Sequence, residues 1–310
     1  MIEQVFSNFS FRAIWTPELI VILLLVAGLY FALVEKWRHR FQDGAPVSAK
    51  QKVYFLLGLI ALYIGWGGPL YTIGHIMITF HMTQMVFAYF IAVPLFILGT
   101  PKWFLVAMIQ RFRTPATERI AKIIFSPIIG VLLFNGLFSI YHVPFMFDSL
   151  MQSVFLHSVY QFLLLGASTL MWWHMIAPLP NKALLSDLRR IGYIFANGIL
   201  ITPACALIIF AGEPLYATYT DPNVWGTVMS YCLPPGADIP YHLFSGPEAF
   251  SQLDTRMDQQ LAGVLMKIMQ EVTYGFTIGY VFKQWLAKEK VKSKGELTIS
   301  DIPVSEDGAK

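Results

Sequence analysis

Seven stretches of predominantly apolar sequence, near residues 17–35, 53–73, 76–98, 120–141, 150–174, 190–211 and 260–284, fill most of the chain. Each is close to the length of about 20 residues that an α-helix needs to cross a bilayer core. Backbone in lipid can hydrogen-bond only to itself, which leaves few folds open to such a chain. The pattern predicts an all-α integral membrane protein, a bundle of seven transmembrane helices over 1–286 followed by a polar cytoplasmic tail over 287–310. Only 13% of residues are charged, against about 25% in soluble domains. With a net charge of +3, nothing points to nucleic acid. Two cysteines, Cys205 and Cys232, are too few for a four-thiolate centre.

Charge orients the bundle. The basic cluster Lys36, Arg38 and Arg40 follows the first apolar run, so that run reads as a span and not as a cleaved signal. With the N-terminus outside, 19 of the 22 Lys and Arg fall on the inner side, and only Arg12 and Arg256 remain outside. Positive segments stay in the cytoplasm, so the C-terminus is expected inside. Segment 101–119, with Trp103, Phe104, Met108 and Phe112 among Lys102, Arg111 and Arg113, suits a short helix on the inner surface or one packed against the bundle. Outside, 212–259 carries six acids (Glu213, Asp221, Asp238, Glu248, Asp254, Asp258) against one Arg. It is expected to form turns without a core of its own, and its charge suits a docking surface for a basic partner as well as a merely solvated loop. The tail after Trp285 is expected to fray.

Ionisable groups at membrane depth need a partner or a function. His75 stands at the outer mouth of the third span, with His81 about 9 Å deeper. Met77, His81 and Met85 recur at i, i+4 and i+8, a stripe of imidazole between thioethers. The fourth span rises through Asn135 and Ser139 to His142 at the outer surface, and the fifth descends through Ser153, His157 and Gln161. Any one of these histidines is more simply explained as hydrogen-bonded within the bundle, whereas four at one end point to a shared task. Imidazole and thioether together suit Cu(I), so His75, His81, His142, His157, Met77 and Met85 form the expected copper site, with Asp258 and Met266 of the last span in support. Asp258 also reads as an N-cap of its own helix, Lys267 and Glu271 as an i, i+4 ion pair, His174 as part of an interfacial belt beside Trp172 and Trp173, and His39 and His242 as solvated. Gly65-Trp66-Gly67-Gly68-Pro69 should loosen the outer half of the second span, and Cys205 reads as a small buried hydrophobe.

The chain resembles the cytochrome c oxidase assembly factors called CtaG of Gram-positive bacteria. The resemblance is carried by HIMITFHMTQMVFAYFIAVPLFILGTP at 75–101, FNGLFSIYHVPFMFDSLMQSVFLHSVYQFLLLGASTLMWWH at 134–174 and DQQLAG at 258–263. It implies a non-enzymatic, seven-span protein of the bacterial cytoplasmic membrane that carries no haem. Such a protein helps build the copper centre of the oxidase catalytic subunit, with an extracytoplasmic copper donor as a further partner. His75, His81, His142 and His157 match the histidines of the family's motifs, with Asp258 opening the last one; Phe80 and Lys267 depart from the pattern. A haem-holding oxidoreductase using His81 and His157, and a copper or proton transporter using Met77, Met85 and Lys267, are the alternatives from other classes. No nucleophile with a positioned base is visible.

Overall fold

The computed structural model describes residues 9–179, 185–233, 238–239, 241 and 253–295, and all regular structure among them is helical. His242, Glu248 and the tail beyond Gly295 lie outside the described residues. A short α1 (Phe11–Trp15) turns at Thr16, whose φ is +45°, into α2 (Pro17–Phe31) and a wide turn through Lys36. Leu24, Leu25 and Leu29 on α2 are more than half exposed, as a surface facing acyl chains should be. The second apolar stretch is α3 (Ala49–Trp66) and α4 (Gly68–Gly74). The break between them falls in the glycine run, where Gly68 has φ +67°, a conformation that only glycine adopts freely. A Cβ at Gly65 would stand 2.7 Å from the Ala88 nitrogen, so that glycine also lets two backbones touch.

The third stretch comprises α5 (Ile78–Val86), a wide π turn over Phe87–Ala92, and α6 (Val93–Gly99). Pro94 has no N–H to offer the turn before it. The freed Tyr89 carbonyl instead accepts from Ser168 Oγ at 2.7 Å and Trp172 Nε1 at 2.9 Å. Then come α7 (Lys102–Arg111), α8 (Pro115–Ile124) and α9 (Pro127–Tyr141). The expected span over 120–141 is bent: α8 and α9 meet at 60°, because Ser126-Pro127 cannot continue a straight helix. Next are α10 (Pro144–Met151), α11 (Val154–Ile176), and α12 (Asp187–Leu200) with α13 (Thr202–Ile209), split before Pro203.

The remainder is more regular than its composition suggests. The acidic segment after Ile209 folds into α14 (Ala217–Thr220) and α15 (Pro222–Ser230), and it sends Tyr216, Tyr219 and Trp225 into the main core. Three of its acids serve helix starts. Asp221 accepts from the Asn223 and Val224 amides, Asp254 from Met257, and Asp258 from Ile78. The last helix, α16 (Thr255–Gly295), continues past Trp285. Lys288 pairs with Asp187 at 2.6 Å and holds it to the start of α12.

Among the described residues, five helices are long and apolar enough to cross a membrane, six if the bent pair is one span. α16 is long enough, but Gln259, Gln260, Lys267, Gln270 and Glu271 keep it out of that class. Lys267 and Glu271 do pair, at 2.6 Å, and the Lys267 ammonium also donates to the Gly198 carbonyl. Arg190, 3% exposed, joins three helices. It donates to the Met175 and Ile176 carbonyls at the end of α11, to Asp187 on α12 and to Gln284 on α16. A cation there satisfies the last carbonyls of α11 and complements its dipole. Arg190→Met should lower stability by about 3 kcal/mol, since it strands buried acceptors. Arg190→Lys should recover only part, because an ammonium lacks the fork. Thermal unfolding of the detergent-solubilised chain tests this, and an unchanged midpoint for Arg190→Met would refute the role.

Candidate functional site at the histidine end

The four histidines lie where helices end or meet. His75 follows the last residue of α4, and its Nδ1 is 2.9 Å from the Tyr71 carbonyl. His142 follows the last residue of α9, and its Nδ1 is 2.7 Å from the Phe138 carbonyl. Both contacts are the same device, because the last carbonyls of a helix have no amide left to accept from. A carbonyl can only accept, so in each ring Nδ1 carries the proton and Nε2 holds the lone pair. His142 is fully buried within the protein, and its Nε2 has no hydrogen-bond partner. Tyr216 covers it, donating to the His142 carbonyl at 2.9 Å.

His81, on α5, is 1% exposed. Its Nδ1 meets the Gln84 amide at 3.1 Å while its Nε2 has no partner, and Gln84 Oε1 has none either. Rotating the Gln84 amide by half a turn satisfies that oxygen with Nδ1–H and turns Nε2 into a third free lone pair. His157, on α11, sits with Nε2 2.9 Å from the Tyr141 hydroxyl. Tyr141 also stacks on His81, ring centres 5.7 Å apart and planes 1° from parallel, so it links the two deep histidines. A space of about 10 Å³ adjoins His81, Gln84, Met85, Tyr141 and Gln161, roughly the volume that one water needs.

The methionines divide. Met85 is buried beside that space. Met77 is buried too, but it precedes α5 with φ −130°, so the thioether stripe over Met77, His81 and Met85 begins only at His81. Met266 is buried on α16. Asp258 caps a helix other than its own: its Oδ2 accepts from the Ile78 amide at 2.8 Å and its main-chain oxygen from Thr79, so α16 holds the start of α5 beneath His81. Reading the sequence missed Gln84, Tyr141 and Met151, whose sulfur is 3.9 Å from the Tyr141 hydroxyl. The i, i+3 spacing of His81 and Gln84 was the available signal. Among the described residues no three of His, Cys, Asp and Glu are grouped as ligands for one ion.

The family model described as cytochrome c oxidase caa3 assembly factor matches residues 28–288. No curated protein and no solved structure is significantly similar to the chain.

The hydrogen bonds fix a tautomer that can be read directly. In the chain labelled with ¹⁵N-histidine, His142 should show a protonated Nδ1 and a bare Nε2 at neutral pH, assigned by loss of the signal in His142→Ala. A protonated Nε2 would show that the contact to Phe138 does not hold the ring.

Proposed function

Because the chain belongs to the cytochrome c oxidase caa3 assembly factor family, we propose that it serves oxidase maturation by handling Cu(I) at its histidine end. The observation that carries this reading is the paired commitment of His75 and His142. Each donates Nδ1–H to a backbone carbonyl, which leaves Nε2 as a ligand lone pair. Metal-binding histidines are commonly oriented by such a bond from the other nitrogen. Copper enters here as cargo. Its ligands would come from His81, His142, His75 and His157, with Met85 and Met77 as soft auxiliaries. Asp258 and Met266 would act as support from α16.

The donor chemistry fits a transient site. Two imidazoles suffice for Cu(I), and thioethers keep the set soft. Tyr141 holds His157 Nε2 in a hydrogen bond, so His157 would become a ligand only when that bond is given up. Each exchange of that kind limits affinity, which suits a protein that must release its cargo. The partners are the oxidase catalytic subunit and an extracytoplasmic copper donor. The setting is the bacterial cytoplasmic membrane, with seven spans, the N-terminus outside and the C-terminus inside. The chain passes copper on and catalyses no reaction. No observation favours the haem-holding or transporter alternatives.

Two experiments test this. Purified His81→Ala and His142→Ala chains should bind Cu(I) at least about tenfold more weakly than wild type in competition with a chromogenic chelator. They should also fail to support an oxidase with its full copper complement, while the exposed His39→Ala behaves as wild type. Folded variants that still bind copper and mature the oxidase would refute the site. Topology is tested in a Cys205→Ala, Cys232→Ser background carrying single engineered cysteines. A membrane-impermeant reagent applied to intact cells should label residue 223 and spare residue 40, and the reverse pattern would invert the orientation.

A further inference from the structure

At the opposite end of α11 lies a second feature that the histidine site does not use. Helices α7 and α8 bury none of their residues. On α8, Ile120, Ile123 and Ile124 form one face, with Ile120 and Ile123 more than half exposed, and Glu118, Arg119 and Lys122 form the other. Such a helix is stable where its apolar face meets acyl chains and its charges meet headgroups. Residues 102–122 carry Lys102, Arg111, Arg113, Arg119 and Lys122 against Glu118 alone.

Between this pair and the end of α11 lies a cavity of about 510 Å³, within the usual range of about 300–1,000 Å³ for small-molecule sites. Ile109, Ala121, Phe125 and Trp173 line it, Phe125 standing edge-on to Trp173 at 5.7 Å. Arg113 and Lys122 stand on the same wall, both exposed. Glu118 engages Arg113 through Nε, which orients a guanidinium carrying four further N–H donors. His174 also lines the cavity, is 5% exposed, and has no hydrogen-bond partner at Nε2. An apolar chamber with two cations and an unsatisfied imidazole matches an amphiphile whose head is an anion.

We propose that this cavity is a binding site for an anionic phospholipid of the adjoining leaflet, with an acyl chain between α8 and α11 and the headgroup phosphate on Arg113 and Lys122. The cations select charge, the apolar wall requires a chain, and neither alone defines the occupant. A bound lipid also supplies an apolar contact for the face of α8 that the described residues leave exposed.

The full chain in non-ionic detergent, exposed to phosphatidylglycerol or phosphatidylcholine with identical acyl chains, is read by native mass spectrometry. Wild type should retain phosphatidylglycerol about tenfold better, since each cation near the phosphate favours the anionic lipid. Arg113→Gln with Lys122→Gln should abolish that preference, and Arg113→Lys with Lys122→Arg should keep it. All four changes are at exposed positions, so the fold should tolerate them, and an unchanged thermal midpoint confirms it. Equal retention of the two lipids by wild type would overturn the proposal in favour of plain boundary lipid. Equal preference in wild type and the Gln double variant would overturn the assignment of the cations. Displacement of the lipid by glycerol phosphate at matched concentration would make the site one for free phosphate and overturn it as well. None of these outcomes bears on copper, so the two readings stand or fall separately.

Discussion

A helix that stops inside a bilayer leaves its last carbonyls and first amides without water to satisfy them, and this chain stops its helices often. Glycine or proline breaks fall after Trp66, around Pro94, before Pro144 and before Pro203. Side chains repair several of the resulting ends. The Tyr89 carbonyl is taken by Ser168 and Trp172, the Met175 and Ile176 carbonyls by Arg190, and the Ile78 amide by Asp258. At the ends of α4 and α9 the repair is doubled: histidines take the Tyr71 and Phe138 carbonyls, and tyrosines take those of Gly74 and His142. The structure of the candidate site follows from this repair. His75 and His142 are positioned because the backbone needs a donor, and meeting that need leaves one nitrogen of each ring to face something else.

The same requirement explains why the segment after Ile209 misleads when read by composition. Its acids, glycines and prolines suggest a solvated loop, and the copies of that pattern in other chains usually are. Here Tyr216 and Tyr219 reach inward to the two exposed helix ends, and Asp148 on α10 accepts from the Ala217 and Thr218 amides to hold the segment down. The segment packs over the ends of α9 and α4, and His142 is buried there.

What could be read in advance depended on whether a residue acts within its own helix or across to another. Apolar runs, the glycine break after Trp66 and the Lys267–Glu271 pair are local patterns, and each has a counterpart in the structure. The 60° bend at Ser126-Pro127 was legible too, in the proline, but the apolar residues on both sides mask it. Tertiary partners were not legible. Asp258 looks like a cap for α16 because caps are usually local, yet its partner is 180 residues away in sequence. Met77 fits a helical stripe by spacing, yet the chain enters α5 one residue later. Tyr141 carried no signal at all, because an aromatic residue on an apolar helix is unremarkable until its hydroxyl is seen on His157.

Repair and ligation draw on the same atoms, and this bears on how such a site can function. A histidine whose Nδ1 closes a helix end cannot turn freely, since rotation would strand a carbonyl at membrane depth, where an unmet hydrogen bond costs several kcal/mol. His75 and His142 are thereby fixed in orientation. His81 and His157 are held by side chains instead, Gln84 and Tyr141, and a side chain can change rotamer without breaking the backbone ladder. If the histidine end handles Cu(I) as proposed, it would combine two rigid donors with two adjustable ones. A rigid pair alone would give a fixed affinity, and four adjustable groups would have to be ordered at each capture. On that proposal capture would begin on positions set by the fold, the hold on the ion would vary with Gln84 and Tyr141, and release would need only that these two side chains return to their hydrogen bonds with His81 and His157.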